Sequence, residues 1–474
     1  MYQVPQHIDK NKIFIVQRSE IEGRLDPKMA LYNRKAQSSL YPKVRLKDLI
    51  VCKPQYGAGE PGIERKNVSD ARYIRITDID ENGLISQDDL GATANYIEDK
   101  YILNENDILI ARSGNTVGKA YIHKSAPYDC FFAGYLIRFI IDKQKALPEY
   151  IFTFTQLKTY KDWVKAVQRP SGQPNINSEE YQSLEIPLPD IDKQQEIVDI
   201  INSAYLQKRQ KESEAQLLLD SIDTYILNEL GINLPEIRTD LKSRMFIVNR
   251  SELEARLDPY FSQNYFKEAF STLFRGKYPV HSIKELSTLI TSGITPKSGG
   301  EAYTEDKENG VPFIRSGNID INGDIDFEDL LYIKPDIHET IMKSSQVKKN
   351  DLMIAIVGAT IGQVGIYLDN REANINQAIA LVRLKKGNDV QYIKEIIRSE
   401  VGQLSLNRLK RPVARANINL EEISSIKIPL PPLIKQQEIA NHISAIRQLA
   451  KLLQKEGQTI LENAKKEVEQ MILG

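Results

Sequence analysis

The stretch IPLPDIDKQQEI (Ile186–Ile197) returns 242 residues later as IPLPPLIKQQEI (Ile428–Ile439), identical at nine of twelve positions. A chain that writes one junction twice is built from two copies of a unit, and such a repeat constrains the fold more than any composition does. Other pairs agree. FIVQRSEIEGRLDP (Phe14–Pro27) matches FIVNRSELEARLDP (Phe246–Pro259) at eleven of fourteen positions. YIRITDIDENGLI from Tyr73 matches FIRSGNIDINGDI from Phe313, and DILIARSGNTVGKAYIH from Asp107 matches DLMIAIVGATIGQVGIY from Asp351. Asn-Ile-Asn occurs at Asn175–Asn177 and again at Asn417–Asn419. The offset grows from 232 to 244 by Asp351. The added residues of the second copy therefore fall in its first half, in loops that tolerate insertion. This is one tandem duplication, not a solenoid.

Each copy has two parts. The first, roughly 30–185 and 262–427, mixes short apolar runs with turn signals. DILIA, LIRFII, DLMIAIV and AIALVRL have the pattern of buried strands, while ENG, ING, SGN and KKGN mark turns. The second part contains no Pro or Gly after Asp190 up to Leu230, and only Gly457 between Leu433 and Leu473. Apolar residues recur there at three- and four-residue spacing: Ile197, Ile201, Ala204, Leu218, Ile222, Tyr225 and Ile226, then Ile439, Ile443, Ile446, Ala450, Leu453, Ile460, Ala464, Val468 and Met471. That is a long helix with one apolar seam. The expected fold class is α+β: two β-rich domains, 1–188 and 233–430, separated by two long helices, 189–232 and 431–474, packed as an antiparallel coiled coil.

The repeated junction is a stop followed by a start. Neither proline donates to a ladder, and a residue before proline is pushed extended. Asp190 then suits an N-cap, Asp192 places negative charge on the positive end of the helix dipole, and Pro432 suits the first helical position of the second copy. Forty residues at about 1.5 Å each make a rod of about 60 Å.

Composition bounds the chemistry. At 474 residues the chain needs two to four domains, and two cysteines, Cys52 and Cys130, build no disulfide framework, which suits a reducing cytoplasm. No apolar run approaches a membrane span, and MYQVPQHIDK lacks the pattern of a signal peptide. The net charge of −1 leaves a nucleic-acid partner open. Catalytic patterns fail on spacing. GNTVGKA has three residues between its glycines where a phosphate loop has four, and GATIGQV has no lysine. The five histidines (His7, His123, His281, His338, His442) have no metal-ligand spacing. Pro189-Asp190 and Pro335-Asp336 lack the Asp/Glu-x-Lys of a nuclease core; Asp258-Pro259-Tyr260 is not an adenine-methyltransferase motif; GxSxG is absent. The chain is expected to be non-catalytic and to bind no cofactor or metal.

Two β-rich domains alternating with two long helices, each entered through IPLP…KQQEI, with Gly-x-x-x-Gly loops after DILIA and DLMIA, resemble the specificity (S) subunit of type I DNA restriction–modification systems. The resemblance covers nearly the whole chain. It implies that the globular parts are target-recognition domains, each reading one half of a split sequence in double-stranded DNA. It implies that the helices set the gap between the halves and dock two methyltransferase (M) subunits. S-adenosylmethionine would then be carried by the M subunits, and ATP and Mg by partner subunits that include the cleaving restriction (R) subunits. Non-identical copies imply an asymmetric target, and a rod of about 60 Å suits half-sites spaced by DNA turns of about 34 Å. A compact system whose methyltransferase and nuclease share one partner chain, and a scaffold that no longer binds DNA, are the alternatives.

Candidate DNA contacts follow from residue type, since Arg pairs with guanine and Asn or Gln with adenine while Lys mostly holds phosphate. Before the first junction lie Arg169, Ser171 and Gln173; before the second lie Arg408, Lys410, Arg411 and Arg415, with no acid between Asn407 and Asn419. The Asn-Ile-Asn triplets are unchanged between copies, which favours turn-capping over reading. The Gly-x-x-x-Gly loops offer Arg112, Asn115, Thr116 and Lys119, then Thr360 and Gln363. Equivalent strand ends offer Arg75, Thr77 and Asp78, then Arg315, Ser316 and Asn318, and ANINQA offers Asn374, Asn376 and Gln377. RSExExRLDP, alternating in charge at Arg18, Glu20, Glu22 and Arg24, suits domain entry or an M-subunit contact.

Overall fold

The structure is a computed structural model. It describes residues 9, 15–16, 27–35, 39–85, 90–168, 174–238, 240, 245–249, 259–297, 300–409 and 417–474. The chain forms two compact units, residues 1–212 with 454–474 and residues 213–453. Each takes its β-rich domain together with one half of each long helix.

The apolar runs form strands for the reason the pattern gives: Ile108–Ala111 and Leu352–Ala355 are buried at every position, as central strands covered on both faces must be. In the first unit the order across one sheet is Gln55–Tyr56, Leu136–Phe139, Ile108–Ala111, Ala120–Ile122, antiparallel throughout, with Ala111 opposite Leu136 and Ile108 opposite Ile122. A second sheet runs Ile63–Glu64, Ala92–Thr93, Arg72–Ile74, Cys130–Phe132, and its last pair is parallel. The second unit repeats both sheets. Ser287–Ser292, Ile379–Leu384, Leu352–Ala355 and Val364–Ile366 form the first. Tyr303–Thr304, Leu331–Ile333, Val311–Ile314, Ala373–Ile375 and Gln346–Val347 form the second, and Phe313 lies opposite Asn374 as Tyr73 lies opposite Phe131.

Part of the second copy's added length became a short helix, Pro335–Glu339, ahead of Gln346–Val347. Among the helices that stand where only β-rich structure was expected are Asn264–Phe274 and two corresponding pairs, Pro148–Gln156 with Lys158–Val167 and Val390–Arg398 with Glu400–Leu409. Each unit has one such bent pair, broken by extended backbone at Leu157 in the first and Ser399 in the second. Nine or ten residues are too few to separate a helical period from a buried run by eye.

The long helices are Ile191–Leu230 and Leu433–Leu473. Asp190 Oδ1 accepts from the N–H of Lys193 at 2.9 Å, as an N-cap should. Pro432 differs from expectation: it lies one residue outside the helix, its carbonyl accepting from the N–H of Gln436. The first proline of each junction also does more than stop a ladder. Glu185–Pro187 pairs antiparallel with Lys43–Arg45, and Lys427–Pro429 with Val280–Ser282, so Pro187 and Pro429 close two-stranded ribbons.

Within each unit the two helix halves run antiparallel. In the first, Lys211 pairs with Glu456 at 3.1 Å; in the second, Lys435 pairs with Glu229 at 2.8 Å and the Tyr225 and His442 rings lie 4.1 Å apart. Ile197, Ile201, Ile222, Ile439 and Ile443 are buried, while Leu218, Ile446, Leu453, Ile460 and Met471 are half-buried. Ala215 and Leu461 are buried beside them although the spacing singled out neither. The seam does not face only another helix: Ile197 and Ile201 share a core with Phe139, Tyr150 and Trp163, and Ile439 and Ile443 share one with Tyr392 and Ile396. Among the described residues no helix is long and apolar enough to cross a membrane.

Candidate functional site

In each unit one loop is built on two left-handed glycines: Gly114 (φ +75°) and Gly118 (φ +84°), then Gly358 (φ +79°) and Gly362 (φ +90°). A Cβ on Gly118 would stand 2.7 Å from Val164, so the glycine spacing answers a steric need and not a phosphate. Against this loop the chain lays the Asn-Ile-Asn segment. Ser113 bridges to Asn175 and Val357 to Asn417. The N–H of Ile176 donates to Arg112 O at 2.9 Å, and that of Ile418 to Ile356 O at 3.0 Å. Two segments some sixty residues apart thus share one end of each domain. The second asparagine of each triplet is a cap: Asn177 Oδ1 accepts from Glu180 N–H and Asn419 Oδ1 from Glu422 N–H, both at 2.8 Å, with the glutamates closing capping boxes.

The first unit carries a polar cluster at this end. The Arg112 guanidinium lies 5.0 Å from the Tyr56 ring centroid, and Ser178 shares a 3.2 Å hydrogen bond with the Tyr56 hydroxyl. Asn115 is exposed at the loop tip and Thr116 is half-buried. Tyr135, 60% exposed, accepts the Arg112 N–H at its carbonyl. Neither Tyr56 nor Tyr135 was singled out from the sequence. A signal was there, in a lone aromatic beside Gly57, whose Cβ would meet the Ala133 carbonyl at 2.3 Å; Gly293 makes the same approach to Ile375. In the second unit the corresponding end presents half-buried Thr360 and exposed Gln377, whose N–H donates to Thr295 Oγ1 at 3.3 Å.

Several candidates are already engaged. The Lys119 ammonium donates to the Ile79 carbonyl at 3.1 Å and pairs with Glu81 at 2.9 Å. Asn318 is buried; its Oδ1 accepts from Arg315 N–H and its Nδ2 donates to the Asp329 carbonyl, so it holds a turn. Asn374 is buried as well, with Oδ1 2.6 Å from His338 Nδ1 and Nδ2 donating to Met342 O and Ser345 Oγ. Arg408 is packed on Phe261, 3.8 Å from its ring centroid, and donates to its carbonyl. Arg75 pairs with Asp78 and Arg315 with Asp329, at 2.8 and 2.9 Å; Thr77 is exposed beside the first and Ser316 half-buried beside the second. Arg169, Ser171, Gln173, Lys410, Arg411 and Arg415 lie outside the described residues, as do Arg18, Glu20, Glu22 and Arg24.

The repeated junction gains its explanation from Gln194 and Gln436, which sequence reasoning passed over. Both are buried. Gln194 donates to the Pro189 carbonyl and accepts from Leu147 N–H; Gln436 donates to Pro431 and accepts from Asp389 N–H, all at 2.8–2.9 Å. Each thereby ties the start of a long helix to the start of the domain's own bent helix pair. Tyr150 and Tyr392 donate to the carbonyls of Pro187 and Pro429, and burial pushes both hydroxyls far above the usual phenol range. An acidic groove of about 840 Å³ opens between the helix halves of the first unit, lined by Asp192, Glu196, Asp199 and Glu467 among others. Among the described residues no group of three or more His, Cys, Asp or Glu is placed to hold a metal.

Residues 41–219 and 276–462 match the family model described as type I restriction modification DNA specificity domain. The MjaVIII type I restriction enzyme specificity subunit of Methanocaldococcus jannaschii is 23% identical over 377 residues, 78% of this chain and 79% of that protein. The Escherichia coli EcoBI specificity subunit is 31% identical over 153 residues, 32% of each chain. A solved chain described under the structural basis of complex assembly and conformational transition of the type I R-M system superposes with a TM-score of 0.50 at 14% identity, covering 90% of this chain and 95% of that one.

Proposed function

Because the chain belongs to the type I restriction modification DNA specificity family, we propose that it is the recognition subunit of such a system, each β-rich domain reading one half of a split, asymmetric target in double-stranded DNA. The observation that carries this is the shared end of the two domains. One backbone scaffold, a two-glycine loop bridged to an Asn-Ile-Asn segment, is kept in both, yet it presents Tyr56, Arg112, Asn115 and Ser178 in one and Thr360 and Gln377 in the other. Conserved support under divergent polar side chains is what two readers of different half-sites need. Arg112 can meet guanine bidentately, and Asn115 or Gln377 adenine. The helices dock two methyltransferase subunits, and the acidic groove beside Asp199 suits a partner face rich in Lys or Arg. S-adenosylmethionine, ATP and Mg would reside on the methyltransferase and restriction partners, and this chain would supply no catalytic group.

The test is a base-modification map of DNA from cells carrying this chain and its methyltransferase, set against cells lacking this chain. A split methyl-adenine motif that vanishes with the chain is the expected result. An unchanged map in a methylating strain would refute the reader role and leave a scaffold.

A further inference from the structure

Besides the junction glutamines, two corresponding places in each domain are fastened to the long helices by side chains that are not shared between the copies. In the first unit the turn Asp80–Gly83 is organised by Asp80, whose Oδ1 accepts from the N–H groups of Asn82 and Leu84 at 2.8 Å. Its tip is held from the helices: the Tyr205 hydroxyl donates to Asn82 O at 3.3 Å, and the buried Lys465 ammonium donates to Asn82 Oδ1 at 3.2 Å. The second fastening is Glu469, whose Oε1 accepts from Thr159 N–H at 2.6 Å, at the start of Lys158–Val167.

The second unit reaches the same layout with other residues. Asp320 organises the equivalent turn. Arg398 grips its Ile321 and Asn322 carbonyls; Glu395, also buried, lies beside Arg398 and pairs with Arg447 of the long helix at 2.7 Å. Lys451 reaches Asp324 at 3.4 Å. Here Asp223 takes the place of Glu469, accepting from Glu400 N–H at 2.9 Å at the start of Glu400–Leu409.

Buried charges are a poor means of gaining stability, since well-packed apolar side chains commonly do as well. What they add is direction. An apolar seam tolerates small slides and rotations, whereas two hydrogen-bonded points on different elements fix both. We propose that Lys465 with Glu469, and Arg447 with Asp223, are positioning residues that lock each domain's rotation and height on the helices, so that the permitted gap between half-sites is set by these fastenings as well as by helix length. This rests on the reader role proposed above.

The test uses the chain assembled with its methyltransferase, and duplexes whose gap is native, one base pair shorter or one longer. Lys465→Met with Glu469→Met, and separately Arg447→Met with Asp223→Ala, should raise methylation at the wrong gaps relative to the native gap by about tenfold, equivalent to ~1.4 kcal/mol. The bases required in each half-site should not change, and Arg447→Lys should restore part of the stringency. An unchanged ratio overturns the inference. So does an equal fall at every gap with a lowered unfolding midpoint, which is what a merely structural role would give. A wild-type assembly that methylates no split site overturns the reader role itself, whereas sharp gaps kept by every variant overturn only the fastenings.

Discussion

Asn177 and Asn374 are both asparagines in turn-rich polar stretches, and their amides end in opposite surroundings. Asn177 caps a five-residue helix at the domain surface, and Asn419 caps a six-residue one in the second copy. Replacing either by alanine should lower stability by about 1 kcal/mol in thermal unfolding and leave the methylated sequence unchanged. Asn374 occupies the position where the first copy has Phe131, a core ring stacked 4.5 Å from Tyr73. The second copy fills that place with an amide because its extra helix brings in His338 as a partner. Asn374→Ala should cost about 1–3 kcal/mol by leaving buried polar groups unpaired, measured by denaturant unfolding. Arg112→Ala is expected to leave the fold intact and relax one base in one half of the target by about 1–3 kcal/mol, seen as degeneracy on one side of the methylation motif. The capping role of Asn-Ile-Asn was legible because both copies keep it. The burial of Asn374 and Asn318 was not, because residue type does not report depth.

Helices and strands were legible in proportion to their length. The two long helices, expected at 189–232 and 431–474, run Ile191–Leu230 and Leu433–Leu473, each end within two residues of where proline, glycine and apolar spacing put it. The bent helix pairs were missed, and so was the purpose of the junction, since a buried glutamine looks like a solvated one in sequence. At this scale pH offers a check on how Val390–Arg398 is held. Burial alone would raise the Glu395 carboxyl, but Arg447, Lys394 and Arg398 outweigh it and hold the group below the usual carboxylate range. A folded value below the unfolded one means that its stabilisation is complete above about pH 4.5 and is lost as pH falls through the folded value. Arg447→Met should therefore lower stability at neutral pH and flatten the loss on acidification, measured as unfolding midpoints from pH 3 to pH 7, on the order of the carboxylate range.

At the scale of the molecule, a heptad is about 10 Å of helix, close to 3 base pairs of DNA. Deleting one heptad from both long helices should shift or abolish the preferred gap while each half-site keeps its bases. A changed half-site with an unchanged gap would show that the helices are not the spacer. Because each unit takes half of both helices into its core, such deletions belong near the middle of the helices, around Glu212 and Leu453, away from the cores of the two domains.

Periodicity, punctuation and repetition are local properties of a chain. From them alone came the duplication, the strand runs, the turns at Gly83 and Gly323 and both long helices. What required the folded molecule was which polar groups meet across distant segments: Asn175 with Ser113, Gln194 with Leu147, Lys465 with Asn82. The physical reason is that a polar side chain has no period. Whether it reads a partner, caps a turn or anchors a domain depends on which acceptor tertiary packing brings within about 3 Å, and packing is decided by the whole core at once.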